Sequence, residues 1–183
     1  MRFSISESIP ILERTPRTVR SMLQFLPESW THRNYGSNPD GSPTWAAHEI
    51  VAHMIFADLT DWLPRAKHIL EFGDAKPFDP FDRHGHHTLM NGKPLHRLLD
   101  EFEQTRREAI AGLHALKLSD ADLDRVGRHP ALGPASMRNL LAMWVVHDFN
   151  HLAQMNKAMA YQYKAEVGPW EAYASILAPP SPR

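Results

Sequence analysis

Helical periodicity runs through most of this chain, and no stretch shows strand alternation bounded by hairpin turns. Its apolar residues can therefore be buried only by packing helix against helix. Four long segments carry the pattern. The first covers about residues 7–26, with Leu12, Val19, Met22, Leu23 and Leu26 on one side. Thr15-Pro16 within it reads either as a kink or as the true start, because Thr caps well and Pro suits a first turn. The second is expected to open at Ser42-Pro43 and run to about Gly73, presenting Trp45, Ala52, Phe56, Leu59, Leu63 and Leu70. Pro64 should bend it, since an interior proline removes a hydrogen bond. The third spans about 93–117, with Leu95, Leu98, Leu99, Phe102, Ala109, Leu113 and Leu116 inward and many charges outward. The fourth starts after Gly133-Pro134, capped by Ser136, and continues to about Tyr163; Gly168-Pro169-Trp170 suggests a short fifth helix. The expected fold is all-α, a four-helix bundle with a short extra C-terminal helix. Its connections, roughly fifteen to twenty residues long, exceed the usual helix-to-helix lengths and make the loops candidates for site walls.

A length of 183 residues suits one sizeable domain, read as a single bundle over residues 1–178 with an irregular Pro-rich tail at 179–183. The formal charge of −1 supplies no basic field for nucleic acid or an anionic membrane, and no apolar run approaches the ~18 residues of a membrane span. The first residues, Met1 to Glu7, lack the apolar core of a secretion signal. There is no cysteine. That excludes disulfides, a cysteine nucleophile and a thiolate metal site, leaves histidine and carboxylate as candidate ligands, and fits a reducing compartment. A cytoplasmic protein that binds neither nucleic acid nor membrane is the expectation.

His147 and His151 stand four residues apart in the fourth segment, so on a helix both imidazoles point the same way and can reach one ion. Met137, Leu140, Leu141, Trp144 and Met155 share that face, which directs the pair into an apolar interior where an unpaired polar ring is costly. With twelve histidines in the chain such a spacing arises about once by chance, so the pair needs a third partner. His53 supplies one. Trp45, Glu49, Ala52, His53 and Phe56 lie on the inward side of the second helix, whereas His48 points roughly 140° away. Three imidazoles with a position left open make a catalytic-type site rather than a closed structural one. Zinc fits such ligands, as do nickel, iron, cobalt and manganese. The competing reading of each histidine is a hydrogen-bonded core residue.

Glu49, one turn from His53, and Asp148, beside His147, are the candidates for orienting a ligand or moving a proton, weighed against an ordinary surface acid or helix-pairing partner. Asn150 and Gln154 flank the pair. The loop from Phe78 to His87, with His84, His86 and His87, is a candidate lid or source of a further ligand, and Arg83 with Asp79 and Asp82 could steer a charged substrate. His32, His68, His96 and His114 converge on nothing, and Trp144 and Phe56 read as core.

The block Trp45-Ala46-Ala47-His48-Glu49-Ile50-Val51-Ala52-His53-Met54 resembles the second-helix signature of the DinB superfamily, in which a tryptophan precedes the metal histidine by eight positions with a Glu and small or apolar residues between. His129-Pro130-Ala131-Leu132-Gly133-Pro134-Ala135-Ser136-Met137 is similar to that family's lead-in to its last bundle helix. Val146-His147-Asp148-Phe149-Asn150-His151-Leu152-Ala153-Gln154-Met155 resembles its paired histidines. The resemblance covers most of the chain in order, including Thr15-Pro16 and Gly168-Pro169-Trp170. It implies a four-helix bundle of the DinB-like type that holds one divalent metal ion per chain through His53, His147 and His151, with frequent homodimers. Characterised relatives include transferases and isomerases that use low-molecular-weight thiols such as bacillithiol or mycothiol; others carry only the label of metal-dependent hydrolase or damage-inducible protein. No substrate signature accompanies the histidines.

The expected function is that of a metal-dependent enzyme acting on a small molecule. One route is hydrolysis, in which the ion lowers the pKa of bound water to about 7; the other is S-transfer, in which a thiol cosubstrate brings the sulfur this chain lacks. A non-catalytic metal- or ligand-binding stress-response bundle and a plain helical dimerisation domain are the alternatives.

Overall fold

The computed structural model describes residues 1–178, so the Pro-rich stretch expected at 179–183 lies outside the described residues. In chain order the helices are α1 (Ile5–Leu23), α2 (Glu28–Thr31), α3 (Ala47–Ala57), α4 (Leu63–Phe72), α5 (Gly85–Met90), α6 (Leu95–Ala115), α7 (Asp120–Leu123) and α8 (Met137–Ala160). A π-helical segment, Asp58–Trp62, joins α3 to α4. Helices α6 and α8 each pack against both α1 and α3, and these four enclose the core of the bundle.

Local chemistry sets the boundaries. Helix α8 begins where the sequence places it: Ser136 Oγ accepts from the Asn139 amide at 3.1 Å while Asn139 Oδ1 accepts from the Ser136 amide at 3.0 Å. The second helix starts later than Ser42-Pro43. Those residues stay in a loop that bridges Ser37 to Pro43, and α3 opens at Ala47, with Glu49 Oε2 accepting from the Ala46 amide at 2.7 Å. Leu26, expected inward, lies beyond α1 and is exposed, because the chain leaves the helix through Phe25 in a left-handed conformation (φ 66°).

Proline has two different effects. Where a bend was expected at Pro64, the chain instead carries a π-helical segment just before it, which buries Asp58, Asp61 and Trp62 and leaves Leu59, expected inward, 48% exposed. Pro16 lies inside α1 rather than at its start. It has no N–H to offer the Leu12 carbonyl, which instead accepts from Nη1 of Arg106 at 3.0 Å.

One hairpin departs from the expectation of helices alone: β1 (Val126–His129) pairs antiparallel with β2 (Gly133–Ser136). Gly133 at φ 81° and His129, whose Nδ1 accepts from the Ala131 and Leu132 amides at 3.1 Å, build the turn. Strands of four residues are too short to announce themselves by alternation. Gly168–Tyr173 forms a 3-10 helix where a fifth helix was expected.

The apolar core falls into two halves. One gathers Leu12, Trp62, Ile69, Leu113, Leu141 and Trp144; the other gathers Val19, Ile50, Met54, Leu98, Phe102 and Met155. Thr15 on α1, Thr105 and Arg106 on α6, and His147, Asp148 and His151 on α8 come between them in sequence, so a polar layer crosses the bundle.

Candidate metal centre

His53 comes from the middle of α3, and His147 and His151 from successive turns of α8. Their donor atoms all lie within 4.8 Å of one another, and Nε2 of His53 stands 3.2 Å from Nε2 of His147. Among the described residues this is the only convergence of three histidine or carboxylate donors. The set fits a metal. Two nitrogens bound tetrahedrally through bonds of ~2.0–2.1 Å stand about 3.3 Å apart, close to the His53–His147 separation. Nδ1 of His151 donates to Gln154 Oε1 at 2.8 Å, which puts the ring proton on Nδ1 and the lone pair on Nε2. Burial, with the neighbouring His151 and His53, pushes His147 down to about 2, so its ring is neutral. Imidazole donors walled by aromatic rings suit a borderline divalent ion.

Aromatic rings wall the cluster. Trp45 packs 4.8 Å from the His53 ring and 6.3 Å from His151, Trp62 lies 5.0 Å from His147, and Phe81 meets His53 edge-on at 5.7 Å. Phe81 belongs to the connection read in the sequence as a candidate lid, and that connection does cover His53. Gly85 makes the close approach possible: a Cβ there would sit 2.2 Å from Cζ of Phe56, so only glycine lets α5 rest on α3 without displacing the ring. The other end is pinned where the Phe78 amide donates to the Arg128 carbonyl at 2.9 Å. Of the loop histidines, His84 and His87 are exposed and His86 is buried, 5.6 Å from the His53 ring. Burial, with His87 beside it, pushes His86 down to about 4.

A buried ion network fills the polar layer. Nε of Arg106 donates to Asp58 Oδ2 at 2.8 Å, its Nη1 and Nη2 donate to the two oxygens of Asp148 at 2.5 and 2.9 Å, and Trp144 Nε1 donates to Asp58 Oδ1 at 3.1 Å. Burial pushes Asp58 up to about 6 against the pull of Arg106. Arg106 and Asp58 were not among the expected site residues. A signal for Arg106 existed, because it interrupts the inward stripe of Leu99, Phe102, Ala109 and Leu113 at helical spacing.

Glu49 is half-buried and caps α3, and Asp148 is enclosed and held by Arg106; neither belongs to the convergent donors. His48 stacks on His32 at 4.1 Å and donates from Nδ1 to the Thr31 carbonyl at 3.2 Å, away from His53. His68 donates to the Lys76 carbonyl at 2.8 Å. His96, His114, Asn150, Asp79, Asp82 and Arg83 are exposed, Trp144 is core, and Phe56 is half-buried beneath Gly85.

The chain matches the family model of the DinB superfamily over residues 11–155, and it belongs to that superfamily. Among solved structures it is similar to YfiT from Bacillus subtilis, described as a probable metal-dependent hydrolase with an unusual four-helix bundle topology. The identity is 19% and the TM-score 0.67, over 86% of this chain and 89% of that one, a likeness of fold. No curated protein is significantly similar to it in sequence. Among the described residues no helix is long and apolar enough to cross a membrane.

Proposed function

We propose that this protein is a divalent-metal-dependent enzyme acting on a small molecule, with the ion held by His53, His147 and His151, and with hydrolysis or low-molecular-weight-thiol transfer as its reaction. The observation that carries the proposal is the convergence of three imidazole donors within 4.8 Å from two helices of the bundle. The fold neighbour described as a probable metal-dependent hydrolase supports the hydrolytic route. The lack of cysteine fits a thiol delivered as a cosubstrate.

When bound, the ion would supply Lewis acidity toward water, a carbonyl or a thiol at its open position. The chain's own groups do the rest. Trp45, Trp62 and Phe81 keep bulk water from the imidazoles, and Gln154 fixes the ring of His151. Glu49, one turn before His53, is assigned to moving a proton, and Asp148 to holding the turn of α8 that carries His147. Zinc is the first ion in this reading, with nickel, iron, cobalt and manganese behind it. A homodimer is expected, and the exposed apolar strip of Met143, Val146 and Phe149 on α8 is the face offered to a second copy.

Elemental analysis of the purified protein should find about one divalent ion per chain, lost in His53→Ala and in His147→Ala. Metal content unchanged in both variants would overturn the site. Turnover of electrophiles that depends on an added low-molecular-weight thiol separates transferase from hydrolase. Stoichiometric metal with neither activity favours the ligand-binding bundle instead.

A further inference from the structure

The metal centre leaves one buried polar side chain beside it without a role. His86 is the buried residue of α5, 0% exposed, and no well-formed hydrogen bond reaches either ring nitrogen, although the Arg83 backbone lies beside it. Its ring packs 4.7 Å from Trp45 and 5.6 Å from His53, at 89° to the latter. An imidazole enclosed in this way is costly, and a leucine or phenylalanine would fill the space without that cost. A polar ring at this position calls for a polar partner.

Ligation creates such a partner. For Nε2 of His53 to present its lone pair beside His147, the ring proton must sit on Nδ1, which makes that nitrogen a donor. A neutral imidazole has one acceptor nitrogen to offer in return. Ring centres 5.6 Å apart place facing nitrogens on the rims of two imidazoles about one N–H···N bond apart.

We propose that His86 is a positioning residue of the metal centre, accepting a hydrogen bond from Nδ1 of His53 and so fixing the tautomer and orientation of that ligand. The lid is thereby coupled to the ion it covers. Gly85 seats α5 on Phe56, and the next residue braces His53 from outside the ligand set. The proposal rests on His53, His147 and His151 binding a metal.

Two variants and one measurement on the unaltered protein test it. His86→Phe keeps the ring volume and removes the acceptor, while His86→Gln restores an acceptor. Zinc affinity, measured by chelator competition, should fall about 10–100-fold in His86→Phe and recover most of that loss in His86→Gln. The visible absorption of the cobalt-loaded protein should shift in His86→Phe and return toward the original in His86→Gln. In the unaltered zinc-loaded protein, nitrogen-15 NMR should show a slowly exchanging His53 Nδ1–H coupled across the hydrogen bond to a His86 nitrogen. Unaltered affinity and cobalt spectrum in His86→Phe, or no such coupling, would overturn the role of His86 and leave the metal site standing. No metal bound by the unaltered protein would overturn both. Should His86→Phe fail to fold, the coupling decides alone.

Discussion

Burial keeps two of the site's imidazoles neutral, and that neutrality gives the apoprotein a particular pH dependence. His147 is held near 2 and His86 near 4, against an ordinary value of 6.5. Both folded values lie below the unfolded one, so below about pH 6.5 the unfolded chain binds protons that the folded chain refuses, and stability falls as pH drops. Each group contributes up to ~1.4 kcal/mol per pH unit until its own folded pKa is reached. His86→Phe should therefore flatten the apoprotein's unfolding free energy by about that slope between pH 6.5 and 4, as read from urea titrations; an unchanged slope would mean that His86 already takes up its proton in the folded state. The two kinds of histidine were not equally legible. His53, His147 and His151 were readable because helical spacing put each on an apolar face. His86 showed only as one member of a histidine-rich loop, because its burial depends on Gly85 touching Phe56, a contact between distant segments that no local pattern records. Gln154 was visible as a neighbour of His151, but its hydrogen bond awaited the rotamers.

Among the elements, long helices were legible in proportion to how regular they are. Helices α6 and α8 lie close to their expected spans, since unbroken stripes and the Ser136 cap define them. The second helix began late and changed face. Glu49 capped it from inside, and the π-helical segment before Pro64 turned Leu59 outward, a shift of register that a fixed 3.6 period cannot anticipate. The short elements carry the connection that covers His53, and their chief constraint is steric. Gly85→Ala places a methyl carbon 2.2 Å from Cζ and 2.6 Å from Cε2 of Phe56, so either the ring swings or α5 lifts. An overpacking cost of ~1–3 kcal/mol is expected in the urea midpoint, with faster amide exchange in α5. Adding Phe56→Ala should recover the exchange protection of α5 even though that substitution leaves a cavity of its own. If Gly85→Ala alone leaves α5 as protected as before, the close approach is not what seats α5 on α3.

Across the whole molecule, one guanidinium meets all four sides of the bundle. Arg106 stands on α6, takes the Leu12 carbonyl that Pro16 frees on α1, pairs with Asp58 where α3 passes into the π-helical segment, and grips Asp148, which stands between His147 and His151 on α8. Its head lies over the faces of Phe102 and Trp144, 5.1 and 5.3 Å from their ring centres. Two carboxylates against one cation in a buried layer make the arrangement sensitive to loss of the cation, because the acids would then be enclosed without compensation. Arg106→Met should cost about 3–5 kcal/mol, measured by urea unfolding of the apoprotein. The loss should be smaller below pH 6 than above it. Asp58 has a folded pKa of about 6, above its unfolded value of 3.8, so its favourable contribution is full below the unfolded value and is lost as pH rises through the folded one. Without Arg106 that folded value moves higher still, and the acid can then escape the penalty by staying protonated. Replacing all three charges at once, as Asp58→Leu, Arg106→Met and Asp148→Leu, should restore most of the stability, since apolar side chains of similar volume join the two halves of the core directly. A triple variant as unstable as Arg106→Met would instead show that the bundle depends on the hydrogen bonds themselves, including the one to Leu12. The zinc affinity of a stable triple variant then asks a separate question: binding at full strength would mean that α8 presents His147 and His151 correctly without Asp148, and weakened binding would tie the buried layer to the geometry of the site.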